Sequence, residues 1–297
     1  MRVAVADIGT NTTRLLVADV DDGHVHELER RTTVTRLGEG VDASGRLADG
    51  AIERVTKVLE EYHAVIEALG PERAIALATS AVRDAENGEA FLGEVEWGYG
   101  FVTRLLSGDE EAQLTRRGVD PAAGTLVLDI GGGSTELILD ERHVSLPMGS
   151  VRFTERYGED VARCTMEARA LLPALSPDAA TGVAGTVTTL AALDLGLEQY
   201  DRERVHGHRL SRAGAREQQD RLAGMNVAER RGMPALEPER APVIVAGAAI
   251  LVAVLDAYAL EAIEVSEHDL LDGVALAAAE LPAPLEGDAP PGAYTCC

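Results

Sequence analysis

Asp7-Ile8-Gly9-Thr10-Asn11-Thr12-Thr13-Arg14-Leu15 returns later in the chain as Asp129-Ile130-Gly131-Gly132-Gly133-Ser134-Thr135-Glu136-Leu137, with Asp, Ile, Gly, Thr and Leu at the same offsets. Each copy follows an apolar run, Val3-Ala4-Val5-Ala6 or Leu126-Val127-Leu128, so each Asp ends a predicted strand. Each is followed by a turn of small residues and a second apolar run, Leu15-Leu16-Val17-Ala18 or Leu137-Ile138-Leu139. A strand, a tight turn and a second strand, made twice, predict two duplicated α/β lobes. Glycine lets backbone approach a ligand closely, and successive N–H groups in such turns form an anion-binding nest. A carboxylate beside a phosphate nest is where a divalent cation would bridge.

The bulk composition narrows the ligand. At 297 residues the chain can hold two domains, and with 46% hydrophobic and 26% charged residues it is ordinary for a folded protein. A formal net charge of −23 argues against general binding to nucleic acid or to an anionic membrane surface. A phosphate-rich ligand would then need a local basic pocket or a metal. All the basic residues but Lys57 are arginines, the better fork for phosphate oxygens. The three cysteines, Cys164, Cys296 and Cys297, form neither a disulfide framework nor a zinc spacing. The chain enters a strand at once, without a signal peptide, and Val243–Leu255 is too short to span a bilayer. A reduced, cytoplasmic setting is expected.

Residues 3–7, 13–20 and 24–31 read as strands, joined at Asp21-Asp22-Gly23 by a hairpin turn. An amphipathic helix over 50–69 carries Ile52, Val55, Leu59, Tyr62, Ile66 and Leu69 on one stripe and stops at Gly70-Pro71. Strands are predicted at 74–78 and 99–106, then a helix start at Ser107-Gly108-Asp109-Glu110. Pro121–Gly124 marks a boundary between lobes 1–122 and 123–280. The second lobe has strands at 125–129, 135–140 and 143–147, a helical region over 151–174, and a strand 181–184 leading into a helix at Gly185-Thr186. A helix over 212–223, an apolar helix over 242–259, a strand 262–266 and a helix 268–280 follow; the last helix can pack back on the first lobe. The tail 281–297, with four prolines and two glycines, is expected to be disordered.

Asp7 and Asp129 sit at strand ends, where α/β folds gather binding residues. Asp also simply suits a turn, but two at matching places in a repeat favour function. Glu110 has a capping job with Ser107; Glu111 has none. Arg14 and Glu136 occupy one position of the repeat with opposite charge, which suggests Arg14 gripping a phosphate and Glu136 serving metal or water. Arg83 and Arg152 follow loops of small residues, where a surface ion pair is the default. His206 and His208 alternate as if on one strand face, without a third zinc ligand.

Together these segments resemble the exopolyphosphatase/guanosine pentaphosphate phosphohydrolase family of the actin-like, sugar-kinase-like superfamily. The resemblance rests on Asp7–Leu15, Ala78–Arg83, Ser107–Ala112, Asp129–Leu137, Gly149–Arg152 and Gly182–Thr186, in that order. It implies two ribonuclease-H-like domains with a cleft between them, and Mg²⁺-assisted, stepwise hydrolysis of the terminal phosphate of inorganic polyphosphate. It makes Glu111 the base that activates water, with Asp129, Glu136 and Asp7 holding the metal or positioning the water. Asp7, Thr10, Asn11, Thr12, Arg14, Arg83, Gly131, Gly132, Gly133 and Ser134 would hold phosphates. The same role extends to Gly149, Ser150, Arg152, Gly185 and Thr186. The resemblance also admits a homodimer.

Two departures stand out. Thr10 and Thr12 replace the family's usual Ser, keeping the hydroxyls. Glu267–Gly273 stands where many members have Gly-Leu-Arg-Glu-Gly, so an Arg contact is missing. The chain also ends where longer members add a helical domain, which predicts a preference for short substrates. Guanosine pentaphosphate 5′-phosphohydrolase is the alternative activity. A kinase should exclude the water that Glu111 is placed to activate, and a non-catalytic nucleotide sensor would not need Glu111 and Glu136.

Overall fold

A computed structural model describes residues 1–281, so the expected disordered tail lies, Leu281 apart, outside the described residues, as do Cys296 and Cys297. The chain divides into two compact units: residues 1–118 with the described part of 270–297, and residues 119–269. The division falls between Gly118 and Val119, ahead of the Pro121–Gly124 stretch.

The first unit begins with strands β1 (Arg2–Ile8), β2 (Thr12–Asp21) and β3 (His24–Val34), then short α1 (Val41–Ser44) and long α2 (Asp49–Leu69). It continues through β4 (Arg73–Ala78), α3 (Ser80–Arg83), α4 (Gly88–Tyr99), β5 (Val102–Leu105) and α5 (Gly108–Val119). The sheet order is β3-β2-β1-β4-β5, antiparallel through β3, β2 and β1 and parallel from β1 to β5. β1 is apolar throughout Val3–Ala6 because it is central and covered on both faces. On one face Ala4, Ala6 and Ile8 meet Val55, Leu59 and Tyr62 of α2 and Phe91 of α4.

Helix α4 is absent from the predicted elements, and the strand expected from Tyr99 begins only at Val102. Gly88, Gly93 and Gly98 depress helix propensity across this segment. Burial of Phe91, Leu92 and Val95 at helical spacing overrides that, leaving Trp97 69% exposed on the far side.

The second unit runs β6 (Thr125–Ile130), β7 (Thr135–Leu139), β8 (Arg142–Leu146), α6 (Ser150–Tyr157), α7 (Val161–Leu171), β9 (Ala179–Val183) and α8 (Ala184–Asp194). Then come α9 (Arg202–Val205), β10 (Arg209–Ser211), α10 (Arg212–Ala223), α11 (Val227–Arg231), a 3₁₀ turn at Pro238–Arg240, α12 (Ile244–Ala257) and β11 (Ala262–Val265). The helical region expected over 151–174 is made of two helices, broken at Gly158 (φ 62°) and restarted by Asp160, whose side chain accepts from the Arg163 N–H at 3.0 Å.

The second sheet, β8-β7-β6-β9-β11, repeats the order and strand directions of the first, with β10 added at its edge. Each unit therefore has the ribonuclease-H-like arrangement. Helix α12 is buried from Ile244 to Leu255, which explains its apolar sequence on all sides. No described helix is long and apolar enough to cross a membrane.

The chain closes with α13 (Leu270–Glu280), which belongs to the first unit. Its Leu270, Leu271, Val274 and Ala278 cover Val3, Val5 and Leu16 on the second face of that sheet. Asp272 accepts from Arg30 of β3 at 3.0 Å.

Candidate active site

In the first unit, β1 and β2 join through a two-residue turn closed by Gly9 N–H donating to the Thr12 carbonyl at 2.9 Å. A Cβ on Gly9 would stand 2.9 Å from that same oxygen, so this position excludes a side chain. The carbonyl of Thr10 accepts from Gly38 N–H at 2.8 Å, and that of Asn11 from Thr35 and Arg36 N–H, each at 3.0 Å. The chain after β3 thus holds the turn by its carbonyls. Thr10 and Asn11 are themselves buried. Arg36 takes φ 51°, a left-handed conformation a non-glycine residue adopts at a cost of the order of 1 kcal/mol.

The hairpin register sets Asp7 opposite Arg14. Arg14 Nε and Nη2 donate to Asp7 Oδ2 at 2.9 and 2.7 Å. The arginine expected at a phosphate therefore holds the neighbouring carboxylate in this structure. At the end of β4, Arg83 Nη1 donates to the Leu106 carbonyl at 2.7 Å and lies 3.6 Å from Glu111 Oε2. Glu111 is 8% exposed in the first turn of α5. Beside it, Ser107 N–H donates to Glu110 Oε2 at 2.9 Å and Glu110 N–H to Ser107 Oγ at 3.2 Å, the capping box expected from the sequence. The Ser107 N–H holds the Glu110 carboxyl below its ordinary range.

The second unit builds the same hairpin with different contents. Gly131 N–H donates to the Ser134 carbonyl at 3.0 Å. Asp129 and Glu136 face each other across the ladder, 7% and 1% exposed. Like charges directly opposed on two strands destabilise them, and more so when buried. Ser145 of β8, not singled out in the sequence, donates its hydroxyl to Glu136 Oε1 at 2.8 Å.

The first turn of α6 caps the glycine turn. Ser150 N–H donates to Gly131 O at 3.0 Å, Val151 and Arg152 N–H to Gly132 O at 2.9 and 3.1 Å, and Arg152 Nε to Gly133 O at 2.7 Å. A Cβ on Gly149 would lie 2.3 Å from Gly132 O, so glycine there is a packing requirement. The turn's carbonyls are thereby taken by protein, and its remaining backbone polarity is that of N–H donors, which suit an anion.

A third segment of the second unit ends β9. Ala184, the first residue of α8, has φ 64°, and Thr186, Thr188 and Thr189 are buried behind it. The guanidinium of Arg240 lies directly over Gly185, where a Cβ would stand 2.0 Å from Nη1. Glu237 accepts from Arg240 Nε at 3.0 Å. Arg240 escaped the sequence reading because Pro238-Glu239-Arg240 has no motif of its own; only the fold brings it to Gly185.

His206 and His208 do not share a strand face. They flank Gly207 (φ 74°) in a turn before β10, so one-residue alternation has no extended backbone to act on. His206 Nδ1 accepts from Glu267 N–H at 3.2 Å, while His208 Nε2 meets Asp194 Oδ2 at 2.8 Å. Among the described residues no group of three or more His, Cys, Asp or Glu side chains could by itself hold a metal ion. The Asp129–Glu136 pair nevertheless has the hard oxygen donors that Mg²⁺ takes, since that ion is commonly held by one or two carboxylates and completed by water and phosphate oxygens.

Residues 16–281 match the model of the Ppx/GppA phosphatase family. Exopolyphosphatase 2 of Mycobacterium tuberculosis is 36% identical, over 94% of this chain and 98% of its own. Exopolyphosphatase 1 of Mycobacterium bovis is 32% identical, over 93% and 88%. Among solved structures, the Aquifex aeolicus member of the Ppx/GppA family is 32% identical with a TM-score of 0.77, covering 94% of this chain and 97% of that one. An exopolyphosphatase from Cytophaga hutchinsonii is 25% identical with a TM-score of 0.85, covering 93% and 96%.

Proposed function

The chain belongs to the Ppx/GppA phosphatase family, and from that premise we propose that it is an exopolyphosphatase, releasing the terminal phosphate of linear polyphosphate with a preference for short chains. The observation that carries the proposal is the facing pair Asp129 and Glu136, buried at strand ends beside a glycine turn whose carbonyls already have partners. Two buried carboxylates in that relation favour a bound cation.

Mg²⁺ would be held by Asp129 and Glu136, and it supplies charge neutralisation for the phosphate oxygens. Asp7, with one oxygen on Arg14, is the weaker third candidate. Ser145 keeps Glu136 oriented through its hydroxyl. The N–H groups of Gly132, Gly133 and Ser134, with the hydroxyls of Ser150 and Thr186, bind phosphate oxygens without needing a basic surface, which suits a chain of net charge −23. Thr10, Asn11 and Thr12 do the same in the first turn.

Glu111 acts as the base. It takes a proton from water as the water oxygen bonds to the terminal phosphorus and the bond to the bridging oxygen breaks. The products are inorganic phosphate and a polyphosphate one unit shorter, and the proton leaves Glu111 for solvent. Arg83, 3.6 Å from Glu111 Oε2, favours its ionised form. Phosphoryl transfer asks little covalent help of a protein beyond positioning and charge.

The test is phosphate release from short polyphosphate, long polyphosphate, guanosine pentaphosphate and ATP, side by side with Mg²⁺. Short polyphosphate is expected to turn over fastest. Faster release from guanosine pentaphosphate would replace this activity with 5′-phosphohydrolase, and preference for long chains would remove the length claim.

A further inference from the structure

Thr186 and Ser150 lie on different helices, α8 and α6, and both rest on a third, α12, at one residue. A Cβ built on Gly247 would stand 2.7 Å from Thr186 Cγ2, 2.9 Å from Thr186 Oγ1 and 3.4 Å from Ser150 Cβ. The first two distances are ones that real Cβ atoms essentially never show. Gly247 has no positive φ to explain it; it sits inside a helix, where glycine is the poorer choice against alanine. Its neighbours Val245, Ala246, Ala248 and Ala249 all carry side chains in the same buried helix.

We propose that Gly247 is a positioning residue, which sets the depth at which the Thr186 hydroxyl and the start of α6 are seated. The reason lies in threonine's branching. Cγ2 and Oγ1 share one Cβ, so any rotation that frees the methyl from an added side chain swings the hydroxyl with it. Thr186 is 5% exposed and has no open space to absorb a shift. Ser150 transmits the same seat to the glycine turn, through N–H and Oγ bonds to Gly131 O at 3.0 and 3.3 Å. The inference rests on the proposed phosphate-binding role of Thr186 and Ser150.

Four proteins test it: the unaltered chain, Gly247→Ala, Thr186→Ser, and the double variant, compared by steady-state kinetics on short polyphosphate and by thermal melting. Gly247→Ala is expected to raise KM about tenfold with a much smaller change in kcat, the mark of a lost ground-state contact. Thr186→Ser keeps the hydroxyl and removes the methyl, and its KM is the reference against which the double variant is read. In the double variant the alanine methyl occupies the space vacated by Cγ2, and KM falls from that of Gly247→Ala toward that of Thr186→Ser alone, the approach to Oγ remaining. A KM in Gly247→Ala within about twofold of the unaltered protein overturns the proposal, as does a double variant no better than Gly247→Ala. Should Gly247→Ala fail to fold, a folded and active double variant supports the seat and an unfolded one overturns it. If the unaltered protein releases no phosphate from polyphosphate, the proposed function falls by itself. The crystal structure of Gly247→Ala then decides this inference: a displaced Thr186 hydroxyl supports it and an unmoved one overturns it.

Discussion

At the end of β1, Asp7 faces Arg14; at the end of β6, Asp129 faces Glu136. The two hairpins close with the same Gly N–H bond, three residues apart in sequence, and place these pairs at the same point of the ladder. Their electrostatics are opposite. Arg14 spends two donors on one oxygen of Asp7, Oδ2, and Asp7 Oδ1 is buried without a hydrogen bond. Asp129 and Glu136 set two carboxylates side by side, and Ser145 donates to Glu136 Oε1. Duplication kept the frame and changed the pair: the first copy joins opposite charges, the second sets two carboxylates together.

The comparison breaks most directly if the second copy is given the first copy's pair. Glu136→Arg should let Asp129 form an ion pair and should cost turnover about a thousandfold or more, while the protein still folds. Retained polyphosphate hydrolysis would show that the like-charge pair is not needed. Glu111→Gln should lower kcat by about the same factor and leave polyphosphate affinity within about threefold, because it removes a base and keeps the shape. Unchanged turnover would take Glu111 out of that role.

Arg14→Leu takes two charged donors away from the buried Asp7 carboxylate. It should destabilise the chain by about 3 kcal/mol in urea unfolding, and Asp7→Asn added to it should restore most of that loss. No loss would mean that the first pair is not what holds the first hairpin.

Alkali probes a buried group of the second unit. Burial pushes the Cys164 thiol, in the second unit's core, up from 9.0 to about 11. The folded state then holds that proton more tightly than the unfolded chain. Its contribution, up to about 2 kcal/mol, is complete below pH 9 and is lost as pH rises from 9 to 11. Unfolding followed against pH should show this slope, and Cys164→Ala should reduce it, leaving the part that the tyrosines raised by burial contribute from pH 10 upward; an unchanged slope would assign it elsewhere.

The smallest expected effect sharpens the electrostatic contrast. In chelator, Glu136→Gln should raise stability by about 1 kcal/mol, since it removes a repulsion and keeps an acceptor for Ser145. A fall in melting temperature would mean that the two carboxylates are not in conflict.

Much of this was legible in the chain because it is local. The strand ends at Asp7 and Asp129, the capping of α5 by Ser107 and Glu110, and the apolar stripe of α2 depend on neighbours a few residues away. Helix α4 was not legible, because its three glycines lower propensity and only packing of Phe91 and Val95 restores it. The helical region expected over 151–174 is present, but its division at Gly158 depends on a left-handed glycine inside an otherwise helical pattern.

By itself the sequence determined the repeat, the turn chemistry and the positions of the acidic side chains, since a strand's period and a turn's glycine are short-range properties. Only tertiary structure decided what those side chains meet. Arg240 over Gly185, Ser145 on Glu136, and Thr186 seated on Gly247 each join separate elements of the second unit. Contacts of that kind are set by how helices and strands pack, at distances of a few ångströms that no local pattern encodes.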